Sequence, residues 1–203
     1  VMGKPAWTTP SYAAYRAIVT IRFGDMPMLG ALAAIGIFGG SLDFNSISWA
    51  HLTSSLGAVG TAVVLIAFLL GPFTKSAQFP FNDWLLTAMT GPTSVSALLH
   101  SATMVAAGVY IFMRLTLYLV GVNYVAINMV YLFVLYLGLV TAILGAMFAT
   151  SVNERKVILA GSTMSSLGLM MALTAASKFI PISVNALGYM LPIGVLVGFS
   201  YLI

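Results

Sequence analysis

The sequence contains no cysteine and very little charge. Its 203 residues include eight Lys or Arg and four Asp or Glu, so charged side chains make up 6% of the chain. Without cysteine there are no disulfides, no Cys-ligated zinc and no Cys-ligated iron–sulfur cluster, and two histidines, His51 and His100, supply too few ligands for a haem or metal centre. The net charge of +4 is spread along the chain and forms no basic patch, which excludes nucleic acid as a partner. We therefore expect no cofactor in this chain, and any electron transfer must take place in other chains.

Apolar residues dominate what is present. The chain is 61% hydrophobic with a mean hydropathy of +1.06, whereas soluble domains are roughly half apolar and a quarter charged. This composition predicts a polytopic membrane protein. The polar, proline-containing start VMGKPAWTTPSYAAYR shows no signal-peptide pattern, and the end GVLVGFSYLI still lies in a hydrophobic run. We interpret the chain as a fragment of a longer protein.

Hydrophobic runs predict about six membrane-spanning helices, because crossing about 30 Å of hydrocarbon takes about 20 apolar residues. After a loop at 1–17, the expected spans are 18–38, 56–75 with a short continuation to 89, 93–114, 124–150, 157–176 and 184–203. The fold class is therefore all-α, a single membrane domain over residues 1–203 with no soluble part. Positive charges in alternate loops place the N-terminal side toward the cytoplasm or matrix. The N-terminal side carries Lys4, Arg16, Arg155 and Lys156, and the opposite side carries Arg114 and Lys178.

Lys75 stands between an apolar run and a proline in the stretch GPFTKSAQFPFNDW. A charge at the bilayer centre costs about 2.5 to 3.5 kcal/mol, so its position requires an explanation. One interpretation is a lysine whose long stem reaches the headgroups. The other is a buried lysine at a broken helix, because Pro80 cannot donate a backbone hydrogen bond and a break at membrane depth must face protein or a water-filled cavity. The residues between Lys75 and Pro80 favour the second interpretation.

Arg22 and Asp25 lie three residues apart at the start of the first predicted span. This spacing allows two side chains on one helical face to pair. The pair has two interpretations that the sequence leaves open, an interfacial anchor for the helix end or a part of proton coupling.

A polar stripe runs along the third predicted span. On a helical projection its members fall within an arc of about 80°, and they are Thr93, Ser96, His100 and Thr103. Membrane hydroxyls often bond only to their own backbone or join helices. Hydroxyls aligned beside a histidine, which exchanges protons near neutral pH, are better explained by a water-bearing path.

Two long stretches, TKSAQFPFNDWL and AMTGPTSVSALLHSATMVAAGVY, closely resemble the signature of the antiporter-like subunits of respiratory complex I, of the large L type. The family is shared with the large subunit of multisubunit Na+/H+ antiporters and with membrane-bound hydrogenases. AAYRAIVTIRFGD and NERKVILAGSTMS extend the resemblance to about 170 residues. A complete member has about fourteen membrane helices, so the resemblance implies that this chain is a middle window with one discontinuous helix.

The resemblance implies roles for particular residues. It places the proton-handling lysine at Lys75, the central histidine at His100, the charged pair at Arg22 and Asp25, and a loop lysine at Lys156. The implied function is redox-driven proton translocation in an NADH:quinone oxidoreductase type complex, with the redox chemistry in partner subunits. The implied location is an energy-coupling membrane, either the bacterial or archaeal cell membrane or the mitochondrial inner membrane.

Some residues depart from the family pattern. Asn82, Asp83 and Leu86 differ in ways typical of a loop, whereas the last span, 184–203, lacks the histidine and lysine that family members usually carry. The acidic partner of the lysine is expected before Val1. Two other functions stay open: a Na+/H+ antiporter subunit that needs no electron transfer, and a structural subunit that keeps the fold but pumps nothing.

Overall fold

A computed structural model describes residues 9–43, 46–101, 104–119, 121–180, 183–186 and 189–200. Nearly all of them are helical, which confirms the predicted fold class. The helices are α1 Pro10–Gly39, α2 Trp49–Lys75, α3 Asp83–Thr87, α4 Thr93–Ser101, α5 Met104–Leu119, α6 Val125–Ser151, α7 Arg155–Ala176 and α8 Ile193–Ser200. A 3-10 helix covers Ala88–Thr90, and strands β1 Ser183–Ala186 and β2 Tyr189–Pro192 form a hairpin.

Four of the described helices, α1, α2, α6 and α7, are long and apolar enough to cross a membrane. The longest, α1, has 30 residues and extends ~45 Å at 1.5 Å per residue. The expectation of about six such spans is therefore too high for the described residues. The predicted third span corresponds to α4 and α5, which lie on either side of residues 102 and 103, and these two residues are outside the described ranges.

The predicted loop at 1–17 is wrong from residue 10 onward, because α1 begins at Pro10. Proline suits the first turn of a helix, since its fixed φ is helical and its missing N–H has no intrahelical partner there. At the other end, Gly40 has φ 76 and caps the helix in the left-handed region. In α2, Gly57 has φ 71 and interrupts the helical backbone, so the predicted start at residue 56 lies at this kink.

The predicted last span, 184–203, is also wrong over its first half. β1 pairs with β2 in antiparallel register, with Ser183 opposite Pro192, and α8 has only eight residues. A helix of that length extends ~12 Å and does not cross the hydrocarbon. Pro192 limits α8 on its N-terminal side, because the residue before a proline is disfavoured in the helical region.

The helices pack as two main pairs, which are joined through α5 and through a direct contact of α2 with α6. α1 lies against α2, α6 lies against α7, and α5 contacts both α2 and α7. A continuous core of buried apolar side chains runs through these contacts, including Leu65, Leu69, Phe112, Ile127 and Met171. The break between α2 and α3 is thereby held inside the bundle between α1, α5 and α6.

Candidate functional site

α2 ends at Lys75, five residues before Pro80. Ala77 adopts φ 50, and the Gln78 N–H donates to the Phe73 carbonyl at 2.9 Å. This is the Schellman arrangement, in which a left-handed residue closes a helix C-terminus. The predicted discontinuity is present, but the cap at Ala77 ends the helix before the chain reaches the proline.

Two hydrogen bonds fix the broken segment to its surroundings. The indole Nε1 of Trp84 donates to the Thr74 carbonyl at 2.9 Å, which satisfies an acceptor that the end of the helix leaves without an intrahelical donor. The Phe79 N–H donates to Thr141 Oγ1 of α6 at 3.0 Å. The break is therefore tied to α3 on one side and to α6 on the other.

An ion pair lies beside the break. Lys75 Nζ is 3.0 Å from Asp25 Oδ1, and the two side chains are 27% and 24% exposed. Asp25 lies near the middle of α1, ~20 Å from either end at 1.5 Å per residue. At the neighbouring Gly24, a Cβ would lie 2.6 Å from the Leu70 carbonyl oxygen, so only glycine allows α1 to approach α2 this closely. The close approach brings the carboxylate within reach of the lysine.

This contact gives Asp25 a different partner from the one its sequence neighbourhood suggests. Arg22 is exposed on α1, whereas the ion pairs among the described residues join Asp25 to Lys75 and Arg16 to Asp83. Sequence reasoning missed the Asp25–Lys75 contact. The signal in the sequence is that Asp25 and Lys75 both lie in apolar runs. Arg22, three residues before Asp25, is a competing local partner that hides it.

The second ion pair, between Arg16 and Asp83, is more open to solvent. Its side chains are 42% and 53% exposed. Together with Thr20, Pro80 and Trp84 they line a cavity of about 160 Å³ next to the break. Exposed pairs contribute at most about 1 kcal/mol, so this pair is a weak contact at the edge of the site.

The predicted histidine stripe is only partly described. Thr93, Ser96 and the backbone of His100 lie on α4, while the His100 side chain and Thr103 are outside the described residues. Ser96 Oγ donates to the Pro92 carbonyl at 3.3 Å, and Thr93 is exposed. The hydroxyl of Ser96 thus bonds to its own backbone, and the proton path through His100 stays a prediction.

Lys156 lies in the first turn of α7 and not in a loop. Its Nζ donates to the Gly91 carbonyl at 3.0 Å and so ties α7 to the turn before α4. In this arrangement the lysine joins two segments that are far apart in sequence.

Lys178, which the sequence marks only as a loop charge, makes a similar contact after α7. Its Nζ donates to the carbonyls of Leu119 and Val122 at the end of α5, and it lies 6.0 Å from the centre of the Tyr131 ring. Burial lowers the pKa of Lys178 below its ordinary value of 10.5. A cation here satisfies helix C-terminal carbonyls and complements the helix dipole.

Apolar spanning helices, one of them broken beside a half-buried ion pair, define an integral membrane protein of the antiporter-like class. The family model described as NADH:quinone oxidoreductase/Mrp antiporter, transmembrane, matches residues 2–198. The chain belongs to this family.

Individual relatives come from both branches of the family. The chain is 42% identical over 170 residues to NAD(P)H-quinone oxidoreductase subunit 5 of the chloroplast of Zygnema circumcarinatum, covering 81% of this chain and 24% of the relative. It is 50% identical over 110 residues to a putative antiporter subunit of Staphylococcus aureus, covering 54% of this chain and 13% of the relative. The solved structure of the Mrp complex from Dietzia superposes on the whole chain with a TM-score of 0.75 at 29% identity, covering 20% of that chain. The chain thus spans about a quarter or less of the length of these relatives.

Proposed function

We propose that this chain carries the central, lysine-bearing part of a proton pathway in an energy-coupling membrane complex. The observation that carries the proposal is the Lys75–Asp25 pair, 3.0 Å apart at the end of a broken helix. Charged side chains at membrane depth are expensive and are typical of ion pathways and proton relays. The relatives that share most of this chain are named as oxidoreductase and antiporter subunits, which supports the same interpretation.

The geometry supports a switch in which the carboxylate controls the proton on the lysine. Two unit charges about 4 Å apart attract by about 4 kcal/mol at an effective dielectric constant of 20. Moving Asp25 away from Lys75 removes this attraction from the lysine. Lys75 is the last residue of α2, so its backbone is anchored by the helix on one side only.

The proton then passes to His100 on α4 through water, along a path that Thr93, Ser96 and Thr103 line. Arg22 on α1 and Lys156 on α7 set the electrostatic and structural surroundings of this route. The break after Lys75 leaves backbone groups that water can bond, as unwound segments in membrane proteins do where they line a cavity.

Redox chemistry in partner subunits is the proposed source of energy. In this proposal the chain works in a complex I type enzyme and holds no redox group itself. Relatives named as NAD(P)H-quinone oxidoreductase subunit 5 cover 81% of the chain and favour this source. The proposed location is an energy-coupling membrane in which such a complex works, and the relatives named as subunit 5 belong to chloroplasts.

A second candidate function is cation/proton antiport without electron transfer. It is favoured by the 50% identity to a putative antiporter subunit and by the superposition on the Mrp complex. A non-pumping structural subunit is the third, because residues 184–203 contain neither histidine nor lysine to receive a proton.

The test is Lys75→Ala in the assembled complex, with Asp25→Asn as a second variant. Proton uptake into sealed vesicles is measured separately from electron transfer, and again after a Na+ jump without an electron donor. We expect both variants to lose proton movement at least tenfold, because each removes one half of the switch. The matched control is Asp83→Asn, which removes the carboxylate of the exposed pair and leaves transport intact.

Each outcome has a consequence. Undiminished proton movement in Lys75→Ala overturns the proposed pathway and favours a structural subunit. If proton uptake by the wild type depends on the electron donor, the redox-driven function is supported. If a Na+ jump alone drives proton uptake, antiport is supported.

A further inference from the structure

The broken segment contains one buried polar atom that no described group satisfies. Gln78 is 1% exposed, and its Oε1 receives no hydrogen bond from the described part of the chain. Its Nε2 donates to the Ser76 carbonyl at 3.4 Å. Because a carbonyl can only accept, the amide nitrogen must face Ser76, and the oxygen is therefore turned to a different side.

Gln78 lies between the two contacts that tie the break to α1 and to α6. On one side Lys75 reaches Asp25 on α1 at 3.0 Å. On the other side the Phe79 N–H, one residue after Gln78, reaches Thr141 on α6 at 3.0 Å. A proton that leaves Lys75 along the break passes this part of the chain.

The buried hydroxyls around the break are already committed as donors. Thr74 Oγ1 donates within α2 to the carbonyls of Leu70 and Gly71, each at 3.0 Å. Ser76 Oγ donates to the Pro72 carbonyl at 2.6 Å. On α6, Thr141 Oγ1 donates to the Leu137 carbonyl at 2.7 Å.

These bonds commit the protons of all three hydroxyls to carbonyls of their own helices, so none of the three passes a proton onward from Lys75. A hydroxyl relays a proton only when it donates along the route and accepts behind it, and here the three hydroxyls donate back to their own helices. The route past the break therefore needs a carrier other than these side chains.

An unsatisfied buried amide oxygen costs about 1 to 3 kcal/mol, and buried waters bind at such groups with about three hydrogen bonds each. We propose that Gln78 Oε1 holds an ordered water inside the α2–α3 break. We also infer that this water is the first proton carrier beyond Lys75, a step that rests on the proposed function. The water takes a proton from the Lys75 ammonium and releases another of its protons onward, so that neutral water and neutral lysine remain.

Gln78 is a positioning residue in this scheme, since an amide holds the water and does not itself titrate. The direct test of the water is a cryo-EM map of the assembled complex at a resolution that shows ordered waters. We expect a water at about 2.7 to 3.2 Å from Gln78 Oε1. A map that shows no water there, or a protein donor from another segment on this oxygen, overturns the inference.

The carrier role is tested with Gln78→Leu and Gln78→Glu. Leucine removes the acceptor and is expected to lower proton translocation about tenfold. Glutamate restores an oxygen at the same place and is expected to restore translocation with an altered pH profile, which a packing role alone does not produce. The control is Thr61→Ala, which removes a buried α2 hydroxyl that donates back to the Gly57 carbonyl, far from the break, and leaves both water and translocation in place.

The outcomes separate this inference from the proposed function. If the wild type holds the water and Lys75→Ala keeps full proton translocation, the water site at Gln78 is supported and the proton pathway through Lys75 is overturned. Loss of activity in Lys75→Ala with unchanged translocation in Gln78→Leu overturns the carrier role alone. If the leucine variant does not assemble, Gln78→Met replaces it, and translocation in Gln78→Met equal to that in Gln78→Glu contradicts the carrier role.

Discussion

The two main helix pairs of the molecule both approach closely at glycines, but only one of them carries charge. Between α6 and α7 the contact is made by glycines: a Cβ at Gly168 would lie 2.7 Å from the Gly138 oxygen, and one at Gly145 would lie 2.6 Å from the Ser165 nitrogen. Between α1 and α2 the closest approach, at Gly24, lies next to the Lys75–Asp25 pair and the end of a broken helix. One pair is an apolar backbone contact, and the other carries charge.

This difference assigns a fixed part and a movable part to the bundle. Close-packed backbones tolerate no displacement without loss of van der Waals contact. The ion pair between α1 and α2, by contrast, can open by rotation of its two side chains while the backbones stay in contact. Thr141 lies on α6 close to Gly138 and accepts the Phe79 N–H, so the movable segment is anchored to the fixed pair.

The largest effect is expected from Gly168→Leu, which places a side chain where the backbone of α6 lies. Overpacking of this kind is expected to cost about 3 kcal/mol. The measurement is the temperature at which the detergent-solubilised complex loses this subunit, followed by size-exclusion chromatography.

The matched control is Gly30→Leu on α1, because a Cβ at Gly30 meets nothing within 4 Å. This variant should assemble as the wild type does. If Gly30→Leu lowers the disassembly temperature as much as Gly168→Leu does, the α6–α7 contact is no more rigid than the rest of the bundle.

The sequence was sufficient for the features that depend on local chemistry. Lys75 after a long apolar run and before Pro80 predicted the discontinuous helix, and the hydrophobic runs at 124–150 and 157–176 predicted α6 and α7 within a few residues. These features follow from local composition, since a helix of about 20 apolar residues meets the requirement of the bilayer by itself.

The features that depend on distant contacts were not predictable in the same way. Asp25 and Lys75 meet because Gly24 lets two helices approach, and neither residue's own neighbourhood contains this information. The apolar run at 184–203 predicts a helix where the structure has the hairpin Ser183–Ala186 with Tyr189–Pro192, because periodicity alone does not distinguish a short apolar strand from a helical segment.

A smaller effect is expected from Trp84→Phe on the movable side. The change keeps most of the buried aromatic volume but removes the indole donor to the Thr74 carbonyl. A buried acceptor left without a donor costs about 2 kcal/mol, so we expect a lower disassembly temperature and weaker proton translocation. Trp49→Phe is the comparison, a buried tryptophan of the core away from the break. If Trp49→Phe weakens translocation as much as Trp84→Phe, the hydrogen bond to Thr74 is not what holds the break.

The smallest effect is expected at Lys178, which ties the end of α5 to the end of α7 on the fixed side. Burial lowers the pKa of Lys178 from 10.5, so between the lowered folded value and 10.5 the unfolded state binds more protons than the folded state. Stability therefore rises with pH in this window and is lower below it, where the folded state must keep a desolvated ammonium. Lys178→Met and Lys178→Arg should both lack this rise in disassembly temperature, the first because nothing titrates and the second because the charge persists. Proton translocation at neutral pH should stay unchanged in Lys178→Arg. A loss of translocation in this variant would assign Lys178 to the movable part of the bundle.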